Sequence, residues 1–309
     1  MYVITGATSR TGSQIARKLL QQGKSVRVIG RSAARLQALV DLGAHACVAD
    51  PTDPFALTQA FDGASAAWVM LQPNYVIDSP DFRAFQDRVI AALSTAINAS
   101  SIKHVVTLSS WGAGLAAGNG PVAGLHGLET MLASHSDLHV LNLRAGYFME
   151  NTLPFVNSIR DEGKVLSPLR GDLQMPFIAT EDVAQAGADH LLALDFVGQQ
   201  VIELHGAEDL SLHDITRQIG VAIGRPDLPF QQIDQAAFAQ SLRAAGASDN
   251  IIGLMTEVVD GINSGLIRTE QARSAQSTGS VRFEDFLRDV LLPKLSQLPA
   301  GDSDDGQGS

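Results

Sequence analysis

Apolar runs of strand length alternate with helical patterns from the first residues onward. Residues 2–5 (YVIT) form a short β-rich run. Residues 11–22 carry Ile15, Leu19 and Leu20 at helical spacing, and Gly23 stops the pattern. The same reading predicts strands over 25–30, 44–49, 66–71, 103–109 and 138–143, and helices over 33–42, 54–61, 81–99 and 124–134. Alternation of this kind predicts parallel strands joined by right-handed crossovers, hence an α/β chain built on a doubly wound parallel sheet of the Rossmann type.

Beyond Arg144 the regularity loosens. Short strands are predicted over 163–168, 174–178 and 200–205, and helices over 181–194, 211–223, 235–245 and 251–264. A last helix over 281–292 is expected to end before Pro293. The expected division is a nucleotide-binding domain over 1–150, a smaller α+β substrate lobe over 151–298 that is free to share strands and helices with the first, and a disordered tail over 299–309.

With 309 residues, 45% hydrophobic and 18% charged, the chain has the balance of a globular protein with a sizeable core. Its net charge of −11 repels phosphate backbones, so nucleic acid is not expected as a partner. Cys47 is the single cysteine, which fits a reducing cytoplasm. It lies in the apolar run 45–48 and is expected to be a buried structural thiol. The chain opens on a strand rather than a leader, and no apolar run reaches membrane-spanning length. The histidines are scattered without ligand spacing, so no metal site is expected, and His205 and His213 read as surface or loop residues.

The first chemical signal is the loop between the first strand and the first helix, Gly6, Ala7, Thr8, Ser9, Arg10, Thr11 and Gly12. Gly6 permits a tight turn and Gly12 lets the helix approach the strand, so free N–H groups and the helix dipole face a phosphate. Ser9 stands where the usual pattern has its middle glycine. Either it tolerates the backbone angles there or the pyrophosphate sits further out, and its hydroxyl is a further donor. An ordinary βα turn is the alternative.

The end of the second strand selects the nucleotide. An acidic residue there would bind the ribose 2′-hydroxyl of NAD. This chain has Arg31 and Ser32, and no carboxylate between Gly30 and Leu39. A guanidinium favours a 2′-phosphate, so NADP(H) is expected over NAD(H), with Arg10 placed to reach the same group. A solvent-facing Arg31 is the alternative. Asp50, after the third strand, is positioned either to meet the adenine amino group or to cap the helix near Pro54.

These segments together resemble the NmrA-like family of atypical short-chain dehydrogenases. The matching stretches are GATSRTG at 6–12, VRVIGRS at 26–32, HVVTLSS at 104–110, LRAGYFMEN at 143–151, MPFIATEDVAQAG at 175–187 and VVDGINSG at 258–265. The resemblance implies a Rossmann fold and an NAD(P)-binding site. The family includes NADPH-dependent quinone and azo reductases, isoflavone-reductase-like enzymes, dehydrogenases of alkaloid pathways, and regulators that bind nucleotide without turnover. It therefore implies fold and nucleotide more firmly than reaction.

In such sheets the ligand lies beyond the carboxyl ends of the strands. Those ends supply Leu71, Gln72 and Pro73, then Ser109, Ser110 and Trp111, then Gly146, Tyr147 and Phe148. They are expected to surround the nicotinamide, with Trp111, Tyr147, Phe148 and Asn151 lining an apolar pocket, although Tyr147 and Phe148 serve equally well as core. The Tyr-x-x-x-Lys pair of typical short-chain dehydrogenases is missing. The helix over 124–134 carries Glu129, which matches a glutamate of the family, and Leu125 where some members have lysine. His126 is the candidate replacement acid or else a surface histidine, and Tyr147 is a second catalytic candidate.

Three functions follow. The first is an NADPH-dependent reductase of a flat, conjugated small molecule such as a quinone, whose electrophilic acceptor takes a proton from water. The second is an NADP(H)-binding redox sensor without turnover. The third is an imine or enone reductase of a natural-product pathway. The expected partner is a small aromatic or conjugated molecule and no membrane, and the chain is expected to be a monomer or homodimer.

Overall fold

The computed structural model describes residues 1–71 and 77–296. In chain order the elements are β1 (Tyr2–Ile4), α1 (Arg10–Gln21), β2 (Val26–Gly30), α2 (Ala33–Val40), β3 (His45–Val48), α3 (Pro54–Phe61), β4 (Ala66–Met70), α4 (Phe82–Ala99), β5 (His104–Ser110), α5 (Ala123–Ala133) and β6 (His139–Ala145). There follow β7 (Tyr147–Phe148), α6 (Phe155–Glu162), β8 (Val165–Ser167), β9 (Met175–Ile178), α7 (Thr180–Ala193), β10 (Gln199–Leu204), β11 (Asp209–Leu210), α8 (Leu212–Ala222), β12 (Phe230–Gln232), α9 (Gln235–Ala244) and α10 (Asp249–Asn263). The last helical stretch comprises α11 (Phe283–Phe286), a π turn (Leu287–Leu291) and α12 (Leu292–Ser296).

Seven parallel strands form the main sheet in the order β3-β2-β1-β4-β5-β6-β10. Order reverses at β1, which opens the crevice where doubly wound sheets bind ligands. The sheet is buried on both faces because each strand side meets a helix layer. One face packs Val28, Trp68, Val106 and Leu141 under α1, α2 and α7, and the other packs Val3, Val69 and Val105 under α3, α4 and α5. Gly187 lets α7 close onto the sheet, since a Cβ there would lie 2.6 Å from the Trp68 ring. A separate core gathers Phe155, Phe177, Ile215, Val259 and Phe283 from the later elements.

Several expectations change here. α7 and β10 come from the C-terminal half and complete the main sheet, a sharing of elements that the division at residue 150 left open. β3 pairs only with β2, and as an edge strand it leaves Cys47 half-buried rather than buried. Partial burial pushes the Cys47 thiol above its usual range, with Arg27 opposing. Pro293 does not end the last helix. It stands at the second position of α12, directly after the π turn. His205 is buried, not superficial, because residues 277–279 bond its backbone on both sides and cover it. His213 is exposed and rests edge-on against Phe230. The expectation for 299–309 lies outside the described residues.

At the amino ends of β5 and β6, His104 and His139 face each other with ring centroids 4.9 Å apart. The Gly198 N–H donates to His139 Nδ1 at 3.1 Å. Burial, and then the neighbouring imidazole, holds His104 below its ordinary value of 6.5. The unfolded chain therefore binds the proton that the folded chain refuses, so stability is complete above about pH 6.5 and falls as pH drops through the lowered folded value. Urea midpoints measured from pH 7 to pH 5 will decline less steeply for His104→Asn than for the wild type. Equal slopes would remove His104 from the acid response.

Candidate active site

The phosphate loop is built from three short-range constraints. Gly6 adopts φ +59°, and a Cβ there would lie 2.5 Å from Met70 Sδ. Gly12 sits so close to the turn that its Cβ would meet the Gly6 carbonyl oxygen at 2.5 Å. Ser9 caps α1, its hydroxyl accepting from the Gly12 N–H at 3.1 Å in ordinary extended geometry, φ −78°. The missing middle glycine thus costs no strain, and the Ser9 oxygen serves as an acceptor for the helix. The first-turn N–H groups of Arg10 and Thr11 have no carbonyl one turn back and point out of the helix start, while the Thr11 side chain is buried. Thr8 is half-buried and its methyl packs beside Gly30 at the end of β2. Hydrogen at Gly6 and Gly12 is what lets the turn close against Met70 and against the start of α1.

Arg31 follows β2 and is exposed, and Ser32 caps α2 through the Arg35 N–H. Asp50 is exposed at the end of β3, and its carboxylate accepts from the Thr52 N–H at 2.8 Å and from the Thr52 hydroxyl at 2.6 Å. Those hydrogen bonds hold Asp50 below the usual carboxylate range, with smaller help from Arg31 and Arg88. The cap of α3 is Asp53, which accepts from Phe55 and Ala56, so capping does not consume Asp50. Arg10 lines a cleft of about 540 Å³ with Gln14, Glu150, Thr180 and Glu181.

The strand ends assemble a charged cluster that the sequence reading missed. Parallel register sets Ser109 of β5 opposite Arg144 of β6, and Arg144 opposite Glu203 of β10. The Ser109 hydroxyl donates to Glu129 of α5 at 2.5 Å. Arg144 donates to both oxygens of Glu129, at 3.1 and 2.7 Å, and to Glu270 at 3.3 Å. The Glu129 bonds chiefly, and Coulomb attraction to the neighbouring carboxylates, raise Arg144 further above an already high value. Ser109 is 2% exposed, so its side chain is enclosed beneath α5, whereas Ser110 is half-buried and faces the other side of the sheet.

The remaining candidates separate. Trp111 is 8% exposed and belongs to the later core instead of an open pocket wall, and its backbone N–H donates to the Ala145 carbonyl. Successive strand residues point opposite ways, so Tyr147 packs edge-on against Phe177 in the later core while Phe148 packs against the sheet core. The pair ties the two layers together. Asn151 is exposed in the turn that follows. Leu71 turns into the core beneath α3 and α4. Gln72 and Pro73 lie outside the described residues. His126 is half-buried, and its Nδ1 lies 3.0 Å from the Ala113 carbonyl oxygen, so that nitrogen donates and Nε2 is left. Among the described residues no group of histidine, cysteine and carboxylates is arranged to hold a metal, and no helix is long and apolar enough to cross a membrane.

A glycine cradle at the first strand–helix junction of a seven-stranded parallel sheet defines a dinucleotide-binding Rossmann domain. Residues 6–153 match the family described as NAD(P)H-binding. Over 262 residues the chain is 25% identical to an NAD(P)H azoreductase of Xenophilus azovorans, covering 84% of this chain and 86% of the relative. It is 28% identical over 269 residues to an oxidoreductase of Bacillus subtilis, covering 85% of each. In fold it is similar to an NADPH-dependent quinone oxidoreductase of Escherichia coli solved with NADPH, with TM-score 0.76, 22% identity, and 93% and 99% of the two chains covered. A triphenylmethane reductase of Citrobacter sp. solved with NADP(H) is similar too, with TM-score 0.75, 16% identity, and 96% and 99% covered.

Proposed function

We propose that the protein is an NADPH-dependent reductase that transfers a hydride to a flat, conjugated acceptor such as a quinone. The observation that carries this reading is the glycine cradle at α1 together with Arg31 at the end of β2, where a carboxylate would select NAD. When bound, the dihydronicotinamide supplies the hydride. The chain's part is to hold and orient. The Arg10 and Thr11 N–H groups receive the pyrophosphate, Arg31 and Ser32 the 2′-phosphate, and Asp50 the adenine edge.

The proton chemistry supports an acceptor of low demand. Ser109 already donates its hydroxyl hydrogen bond to Glu129, and Glu129 is held by Arg144. His126 spends Nδ1 on Ala113, and the Tyr147 ring packs edge-on against Phe177. A quinone or azo nitrogen needs none of them, since water protonates its reduced form. The names of the azoreductase, the quinone oxidoreductase and the triphenylmethane reductase point to acceptors of this kind. The same spent hydroxyl, with Leu125 in place of lysine, favours a second reading in which the protein senses NADP(H) without turnover.

Titration of the wild type and Arg31→Asp with NADPH and NADH tests the nucleotide assignment. Reversing a charge against a phosphate will weaken NADPH about 100-fold and change NADH by less than about threefold. Equal weakening of both would contradict a 2′-phosphate at Arg31.

A further inference from the structure

The loop between β5 and α5 is shaped by parts of the chain far from it in sequence. At Gly112, φ +77°, a Cβ would lie 3.0 Å from Ile267, and at Gly118, φ +79°, it would lie 2.7 Å from Leu266. At Gly120, φ +56°, it would meet the Leu254 carbonyl oxygen of α10 at 2.1 Å. Inside the loop Asn119, fully buried, donates its amide to the Gly112 and Leu115 carbonyls at 2.9 and 2.8 Å. Arg144 and Glu270 lie against Gly114, and one charged side chain bonds the loop backbone from α10. The Glu257 carboxylate of α10 accepts from the Gly118 N–H at 2.7 Å. The exposed side of the loop is left with Gly114, Ala116 and Ala117, small and uncharged.

We infer that Glu257 is a specificity-determining positioning residue, which fixes this loop through Gly118 as one wall of the acceptor site. The inference rests on the proposed reductase reading, with the acceptor beyond the carboxyl ends of the strands, where β5 leads into this loop. Glu257 touches neither the phosphate loop nor Arg31, so its effect falls on the acceptor and not on the nucleotide. A charge-assisted hydrogen bond to a backbone N–H is strong enough to decide between loop shapes, and glycine at 112, 118 and 120 leaves the backbone free to relax once it is lost.

The test uses the full chain and a simple benzoquinone. Quinone binding to NADP⁺-loaded protein is read by quenching of Trp111 at the loop's base, and NADPH affinity and steady-state KM and kcat are measured beside it. Glu257→Ala will weaken quinone binding and raise its KM about tenfold, lower kcat by less, and leave NADPH affinity within about twofold. Glu257→Gln, whose amide oxygen still accepts from Gly118, will restore quinone KM to within about twofold of the wild type. Unchanged quinone binding in Glu257→Ala, failure of the glutamine to rescue, or an equal loss of NADPH affinity would each overturn the assignment while leaving the reductase reading intact. A wild type that binds NADPH but no quinone would overturn both.

Discussion

Gly12→Ala will lose more than about 100-fold in affinity for NADPH and NADH alike while the chain stays folded. The added methyl would stand 2.5 Å from the Gly6 carbonyl oxygen, 3.0 Å from its carbon and 3.2 Å from the Ser9 hydroxyl that caps α1. Neither backbone group can step aside, so the start of α1 must move off the turn, and the Arg10 and Thr11 N–H groups lose their aim. Two charge-assisted hydrogen bonds to a pyrophosphate are worth about 3–6 kcal/mol, which sets the scale of the loss. Gly253→Ala is the control. It adds a methyl to the exposed side of α10 with nothing within 4 Å, and helix propensity alone favours it by about 1 kcal/mol. Calorimetric titration of both variants, with circular dichroism for the fold, decides the matter. Retained affinity in Gly12→Ala would remove the cradle from the account.

Arg144→Met will destabilise the protein by about 3–5 kcal/mol. Arg144 and Glu129 are 12% and 11% exposed, and the guanidinium meets both carboxylate oxygens. Its removal leaves Glu129 enclosed with one hydroxyl donor, Ser109, and takes away the cation to which Glu203 and Glu270 are attracted. Removing both partners, in Glu129→Leu with Arg144→Met, will recover more than half of the loss, because no lone charge then stays buried. Denaturant midpoints of the two single variants and the double variant form the cycle. A double variant no more stable than Arg144→Met would show that the pair stabilises beyond satisfying its own burial.

The sequence made the nucleotide domain legible because its signals are local. Each of the first five strands is at least three residues long and is followed by a helix, and the glycines fall between β1 and α1. The structure places those elements within about two residues of their expected bounds. The later elements carry weaker signals. β7 and β11 are two residues each, too short for any periodicity. α6 was discoverable, since Phe155, Val156 and Ile159 fall on one helical face and Gly163 ends it at φ +71°. The glutamate–arginine cluster was not, because Glu129 meets Arg144 only through the parallel register of β5 with β6 and the seat of α5 above them. The burial of His205 likewise depends on residues 277–279, which reach it from more than seventy positions further along the chain. Trp111, Tyr147 and Phe148 show the limit of residue type as a guide. An aromatic run at a strand end suits a pocket or a joint between cores equally, and only the directions of the side chains decide.

Most direct is to mix NADPH-loaded protein with a panel of quinones under anaerobic conditions and follow the dihydronicotinamide absorbance. The account predicts oxidation of the bound NADPH in step with quinol formation, and none in Gly12→Ala. NADPH that binds tightly and stays reduced with every acceptor would contradict the reductase reading and favour a sensor.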